Sequence, residues 1–124
     1  MPDLVGACPK DFWLDWIAEG DAAGDPCTGE EWGWYTRAPL AATIKRGDRF
    51  YVVAHGKLRG WAPVTRVQGP HSDDEGEDQS GWIICRRGGA VACTVPFAIP
   101  GFRGLRVRWW DRTQEIPFPD WKTP

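Results

Sequence analysis

The chain has 124 residues, 42% of them hydrophobic and 26% charged, with a net charge of −2. These values are typical of one globular domain spanning residues 1–124, and they argue against a generic, uniformly basic nucleic-acid binder. Nine tryptophans are an unusual number for this length. Because each buries roughly 150–250 Å², we expect one or more of them to line a groove or pocket.

Charge is unevenly distributed along the chain. Residues 1–36 carry a net −7 and residues 73–78 a net −5, whereas residues 37–67 carry +6 and residues 86–112 carry +5. Such segregation permits a positive face on an acidic molecule, which is typical of a protein with an anionic ligand. Pairing of these charges within the molecule is an equally simple interpretation.

No segment has the roughly 18–20 consecutive apolar residues of a membrane span, and the N-terminus lacks a charged-then-apolar signal. We therefore expect a cytoplasmic protein with no membrane partner and with reduced thiols. No Cys-x-x-Cys pair is present and both histidines are distant from the cysteines in sequence, so no metal and no cofactor are predicted. The four cysteines are Cys8, Cys27, Cys85 and Cys93.

The N-terminal third predicts little regular structure. Aromatic and acidic residues alternate at helical spacing over residues 11–19, which predicts an amphipathic helix. A β-strand at residues 12–14 is the competing interpretation. Residues 20–31 are rich in Gly, Asp and Pro and predict a loop. Residues 32–35 predict a strand or strand edge, and residues 37–44 predict one or two helical turns with Pro39 near the start.

The centre of the chain predicts a β-hairpin. Residues 49–54 are β-branched and aromatic, and residues 58–67 read as the returning strand. The dipeptide His55-Gly56 between them offers positive φ for a turn. Residues 45–48 form a polar turn ahead of the first strand.

The C-terminal half predicts short strands separated by loops. Residues 69–81 predict a flexible acidic loop. A strand at 82–86, a Gly88-Gly89 turn and a returning strand at 90–95 follow. Residues 96–104 predict irregular structure.

The last segments predict edge structure. Residues 105–110 alternate apolar and basic side chains, which places Arg106 and Arg108 on one face and Leu105, Val107 and Trp109 on the other. Residues 116–121 contain prolines that lack N–H donors, which predicts an extended cover over an open sheet edge. The whole pattern indicates an α+β fold, a small mixed β-barrel or pseudobarrel with one or two short helices.

Five motifs follow one another along the chain: the aromatic element Phe12-Trp13-Leu14, Gly33-Trp34 before a short helix, the Gly47-Asp48 turn before a strand, the strand from Gly60 to Val64, and the strand that begins at Trp82. In this order they resemble the PUA-like superfamily, particularly its ASCH and EVE branches. The resemblance implies a barrel that binds RNA or modified DNA, with a base held in an aromatic-lined pocket. Some ASCH relatives are amidohydrolases that use a Lys, a Thr and a Glu, but that motif does not match residue by residue here.

Candidate ligand-binding residues follow from these observations. The candidates for base stacking are Trp32, Trp34 and Trp61, which lie beside glycines or the basic hairpin. Trp13 is a further candidate for the wall of the pocket. The alternative interpretation of each is a tryptophan of the hydrophobic core. The candidates for phosphate contacts are Arg37, Lys57, Arg59, Arg103, Arg106 and Arg108. The alternative interpretation is that these cations are solvated or form ion pairs on the surface.

No catalytic residue is predicted, because neither histidine has a Ser or Cys at a recognisable spacing and no P-loop is present. Whether the protein is an enzyme stays open. The leading hypothesis is a nucleic-acid or nucleotide reader. The alternatives are an ASCH-like amidohydrolase or nuclease acting on a nucleoside or RNA, and a protein-interaction or inhibitor module that uses a Trp/Arg surface.

Overall fold

A computed structural model describes residues 3–8, 31–69, 81–87 and 91–121. The predicted helix at 11–19, the loop at 20–30, the acidic segment at 70–80 and the Gly88-Gly89 turn lie outside these residues. The eight strands are β1 (Leu4–Ala7), β2 (Glu31–Thr36), β3 (Arg49–Ala54), β4 (Lys57–Gln68), β5 (Trp82–Arg87), β6 (Val91–Thr94), β7 (Leu105–Val107) and β8 (Ile116–Pro117).

The strands form one curled, mixed sheet. Its order is β2-β5-β4-β3-β1-β7, with β6 paired to β4 and β8 paired to β6. β1 and β3 are parallel, and the other pairs are antiparallel. The described residues contain no helix beyond two 3₁₀ turns, Pro39–Thr43 and Arg112–Gln114. The predicted small mixed β-barrel is therefore confirmed.

The central hairpin is confirmed in detail. His55 and Gly56 connect β3 to β4 with φ of 51° and 74°, the two positive values that a type I′ turn requires. At the other end, the Asp48 carboxylate accepts a hydrogen bond from the backbone N–H of Lys45 at 2.8 Å. The backbone carbonyl of Asp48 also accepts from the Val64 N–H at 2.9 Å, which fixes the polar turn against β4.

The sheet carries a hydrophobic core on each face. Successive strand residues point to opposite faces, so Leu4 and Phe50 enter the first core while their neighbours Val5 and Tyr51 enter the second. The 3₁₀ turn at Pro39–Thr43 lies over the first core. The chain after β6 covers the second core with Val95, Ile99 and Trp110. Burial on both faces explains why β1 and β3 read as continuous apolar runs.

Strand β6 corrects one prediction. Residues 90–95 were expected to return alongside the strand at 82–86. In the structure β5 pairs with β4 from Val64 onward, and β6 pairs with the same strand at Gly60 and Trp61. β5 and β6 therefore pair with the same edge of β4, and both run antiparallel to it. Among the described residues, β6 continues in the direction of β5 and does not return alongside it. A twelve-residue β4 is long enough to accept both partners.

Strand β7 is shorter than predicted. The alternation in residues 105–110 predicted one strand, but β7 ends at Val107. Leu105 packs against the first core as expected. Beyond Val107 the Arg108 guanidinium hydrogen bonds to Asp3, and this interaction turns the chain out of the sheet. Arg106 and Arg108 consequently have different surroundings.

The C-terminal segment covers an edge, as predicted. Strand β8 pairs with β6 through Cys93–Pro117 and Thr94–Ile116. Trp121 is buried in the first core. No helix among the described residues is long and apolar enough to cross a membrane.

Candidate functional site

Five aromatic rings form a continuous series over the second face of the sheet, and we call them the aromatic row. Neighbouring ring centroids lie 5.0–6.5 Å apart, within the range of favourable aromatic pairs. β3 and β4 contribute one ring each, and the irregular segments that flank β7 contribute the others. The rings, in order of contact, are Trp61, Tyr51, Trp110, Trp109 and Phe102.

An arginine lies over the ring at each end of the aromatic row. The Arg49 guanidinium carbon is 3.9 Å from the centroid of Trp61, and that of Arg106 is 4.5 Å from the centroid of Phe102. Both distances are well within cation–π range. Arg106 is the cross-strand partner of Val5, a residue of the second core, so the pairing places its side chain on the same face as the row.

The aromatic row is buried in the middle and accessible at its ends. Tyr51 and Trp110 are buried, and Trp61 and Phe102 are partly buried. Trp109 is 48% exposed. Its ring is nearly perpendicular to those of Phe102 and Trp110, at interplanar angles of 74° and 81°. Two packing contacts therefore restrain an indole that is about half open to solvent, and an accessible indole can stack on another planar group.

Glu115 holds the centre of the row in place. Its carboxylate accepts hydrogen bonds from Tyr51 Oη at 2.6 Å, from Trp110 Nε1 at 2.9 Å and from Arg49 Nη1 at 3.0 Å. The side chain is only 8% exposed. Burial, followed by the hydrogen bond to Glu115, raises the pKa of Tyr51 well above its usual value. Tyr51 is therefore a neutral donor at physiological pH.

Asp3 fixes the segment that carries Trp109 and Trp110. Its buried carboxylate accepts from the Arg49 backbone N–H and from the guanidinium groups of Arg108 and Arg112, at 2.8–3.0 Å. Arg108 also donates to the Trp110 carbonyl. Burial alone would raise the pKa of Asp3, but the hydrogen bonds from Arg49, Arg112 and Arg108 outweigh it and lower the pKa.

Cys93 lies beneath this network and is chemically quiet. Burial, with a smaller contribution from the Glu115 charge, raises its pKa to about 12. Its thiol is therefore protonated near neutral pH and a poor nucleophile.

The predicted tryptophans have different locations. Trp61 belongs to the aromatic row. Trp34 packs on the other face of the sheet, against the first core, with its ring 5.2 Å from that of Phe50. Gly60, the glycine beside Trp61, lies against the backbone of β6 at Val91. Trp13 and the side chain of Trp32 lie outside the described part of the structure.

The predicted cations are also dispersed. Arg59 is only 1% exposed, and it donates to the backbone carbonyls of Ala54 and Trp121; this interior position removes it from any exposed phosphate-binding surface. Arg108 is bound to Asp3. Arg103 and Arg106 are exposed near the aromatic row, whereas Lys57 is exposed at the hairpin tip and Arg37 is exposed after β2.

A shallow groove of about 320 Å³ lies beside Lys57. Thr94 also lines it, but the remaining lining is Gly56, Val95, Pro96, Phe97, Ala98 and Phe118. The groove therefore brings a Lys and a Thr together without a carboxylate, which is not the set that an ASCH-like hydrolase requires. No group of three or more potential metal ligands occurs in the described residues.

Sequence reasoning missed the residues that organise this face. Apart from Trp110, the partners of Glu115 and Asp3 lie 46 to 109 positions away, and no local pattern reveals such pairs. Trp109 was assigned to the same face as Leu105 and Val107 in a longer strand. The end of β7 reverses that assignment, and the adjacent Asp111 capping box is the local signal that a strand stops there.

Comparison of the chain with models of known protein families, with characterised proteins and with solved structures finds no match.

Proposed function

We propose that this protein is a nucleic-acid or nucleotide reader, a small PUA-like barrel that binds unpaired bases through the accessible end of the aromatic row. In this proposal a base stacks on Trp109, and Arg106 and Arg103 contact the neighbouring phosphates. The stacking residue thus differs from Trp32, Trp34 and Trp61, the candidates that the sequence alone favoured.

The exposed indole of Trp109 carries the proposal. Phe102 and Trp110 contact it at centroid distances of 6.2 and 5.0 Å, so the ring is oriented before any ligand arrives. A base stacked on such a platform contributes about 1–3 kcal/mol. Preorganisation supports affinity because little side-chain entropy is lost on binding.

Charge near Trp109 also supports the proposal. Arg103 and Arg106 are both exposed; Arg103 directly follows Phe102 in the chain, and the Arg106 guanidinium carbon lies 4.5 Å from the centroid of Phe102. The nearby carboxylates of Asp3 and Glu115 are occupied by internal donors. A phosphate therefore meets cations here although the whole chain carries −2.

The first test measures binding of fluorescent RNA and single-stranded DNA of about eight nucleotides by anisotropy, between about 50 and 200 mM salt. Trp109→Ala is expected to weaken binding about 5- to 150-fold. Tyr35→Ala is the matched control, because it removes an exposed aromatic ring from β2, at the other end of the sheet order. Equal loss in both variants, or no binding by the wild type, contradicts the proposal.

The second test separates the cations. Arg106→Gln is expected to reduce the slope of log affinity against log salt by about 0.7, the value of one single-strand phosphate contact. Lys57→Gln removes one charge at the hairpin tip and is expected to leave the slope unchanged. A different outcome favours the protein-interaction module: no nucleic acid binds, and Trp109→Ala abolishes binding to a protein partner.

A further inference from the structure

The other end of the aromatic row has the geometry of a stacking platform that contains an arginine plane. Arg49 lies 3.9 Å over Trp61, and its Nη1 donates to Glu115 at 3.0 Å and to Tyr51 Oη at 3.2 Å. Its side chain is 24% exposed. Two hydrogen bonds thus hold the guanidinium over one indole, and part of the Arg49 side chain remains accessible to solvent.

The pairing with Glu115 changes what Arg49 offers a ligand. The carboxylate compensates the charge of the guanidinium, so its attraction for a phosphate is reduced. The plane of the guanidinium is unaffected, and arginine planes stack on unpaired bases as aromatic rings do. Glu115 therefore acts as a positioning residue that keeps this plane on Trp61.

This second platform is separate from Trp109. Two buried rings, Tyr51 and Trp110, lie between them, and successive ring centroids along the row are 5.0–6.5 Å apart. Among the described residues no ring contact joins Trp61 directly to Trp109. One base cannot cover both platforms. A stacked strand advances about 3.4 Å per nucleotide, so a ligand that reaches both must contain several nucleotides.

We infer that Arg49, stacked on Trp61, is a second base platform, and that the ligand of the aromatic row is a single strand of several nucleotides rather than a mononucleotide. This inference rests on the proposed function. It assigns a binding role to Arg49 and a positioning role to Glu115, and it defines the class of ligand by length.

A length series tests the ligand class. Nucleoside monophosphates and strands of about two, four and eight nucleotides are titrated into the full chain at one salt concentration. Affinity is expected to rise at least tenfold between the dinucleotide and the longest strand. The Trp61→Leu variant is expected to lose this rise.

An arginine-to-lysine exchange tests the platform itself. Arg49→Lys keeps the charge and removes the plane, so it is expected to weaken binding of the longest strand about 5- to 150-fold with an unchanged salt slope. Arg49→Gln is expected to lose as much. Glu115→Gln is expected to give a smaller loss. Thermal unfolding of each variant identifies those that no longer fold. If Arg49→Lys is among them, Trp61→Leu still tests the platform, because it leaves the Arg49–Glu115 pair in place.

The outcomes separate the two proposals. Absence of binding at every length overturns the proposed function and this inference together. Binding that needs Trp109 but has equal affinity for a mononucleotide and for the longest strand overturns this inference alone. So does full retention of affinity in Arg49→Lys together with Trp61→Leu.

Discussion

His55 has an unfavourable backbone conformation at the tip of the central hairpin. Its φ of 51° lies in the left-handed region, where residues other than Gly, Asn and Asp are rare. Its Nε2 is also buried without a hydrogen-bond partner, and such a group costs roughly 1–3 kcal/mol. The turn type at this position favours Asn-Gly over His-Gly.

We expect His55→Asn to raise the free energy of unfolding by about 1 kcal/mol, because Asn tolerates the left-handed conformation. Urea denaturation measures the change. Gly56→Ala is the matched comparison: no atom lies within 4 Å of the added Cβ, so only its φ of 74° opposes the substitution. That variant should be less stable than the wild type. A fall in stability for His55→Asn would show that the imidazole makes a favourable contact.

The ionisation of Asp3, another single residue, makes the free energy of unfolding depend on pH. Because its folded pKa is lowered, its contribution to stability is fully present above its unfolded value, near 3.8, and is lost as the pH falls through the folded value. We expect Asp3→Asn to cost roughly 1–3 kcal/mol at neutral pH. The cost should shrink as the pH is lowered to about 3.

Urea denaturation across that pH range checks this prediction. Asp120→Asn, which alters an exposed carboxylate, is expected to change stability little at any pH. A cost for Asp3→Asn that is independent of pH would mean that the side chain acts through its shape and not through its charge.

At the scale of elements, the C-terminal segment closes both an edge and a core. β8 pairs with β6, and four residues later Trp121 enters the first core. The buried Arg59 donates to the Trp121 carbonyl at 3.2 Å and lies over Phe118 at 5.4 Å. Arg59 therefore attaches the end of the chain to the hairpin.

A pair of tryptophan variants distinguishes core from surface. Trp121→Ala is expected to lower the free energy of unfolding by roughly 3–5 kcal/mol, because it leaves a large cavity. Trp109→Ala should cost about 1 kcal/mol or less, since its ring is half exposed. Thermal or urea unfolding compares the two. Similar losses would mean that Trp109 is part of the core, which would also weaken the proposed function.

Elements were predictable where local signals determine them. The Gly47-Asp48 turn, the His55-Gly56 turn and the apolar strand between them specify the central hairpin from adjacent residues. The prolines of residues 116–121 likewise indicate an edge. The partner of β6 was not predictable, because a two-glycine segment is compatible with either a return or a continuation. Arg59 resembled the other cations of the hairpin in sequence, whereas its burial depends on the carbonyls of Ala54 and of the distant Trp121.

At the scale of the whole molecule, the two glycines that flank the acidic segment, Gly69 and Gly81, lie far from the aromatic row along the strand order. They are close to one another, because a Cβ on Gly69 would meet the Gly81 carbonyl, and a Cβ on Gly81 would meet Tyr35. These residues adjoin the end of β2, whereas Trp109 follows β7 at the opposite end of the order β2-β5-β4-β3-β1-β7. If the acidic segment lay beside the basic face, its removal would strengthen the binding of polyanions.

We expect replacement of residues 70–80 by a short Gly-Ser turn to change strand affinity less than twofold near 0.15 M salt, where charges interact over about 8 Å. At low salt, affinity should rise, because the replacement removes five carboxylates and changes the net charge from −2 to +3. Anisotropy at both salt concentrations measures the difference. A large gain at the higher salt concentration would place the segment against the binding face.

The position of β1 has a consequence for the order of folding. β1 is the first described strand in the chain, yet it lies between β3 and β7, which pair with it from about 45 and 100 residues away. A ribosome therefore releases its apolar residues long before either neighbour exists. The hairpin of β3 and β4 needs only contacts that are local in sequence, whereas β1 can pair only after two long loops have closed. The entropy of closing these loops is lost before the contacts that compensate for it are formed. We accordingly expect refolding on the millisecond-to-second timescale, limited by the docking of β1.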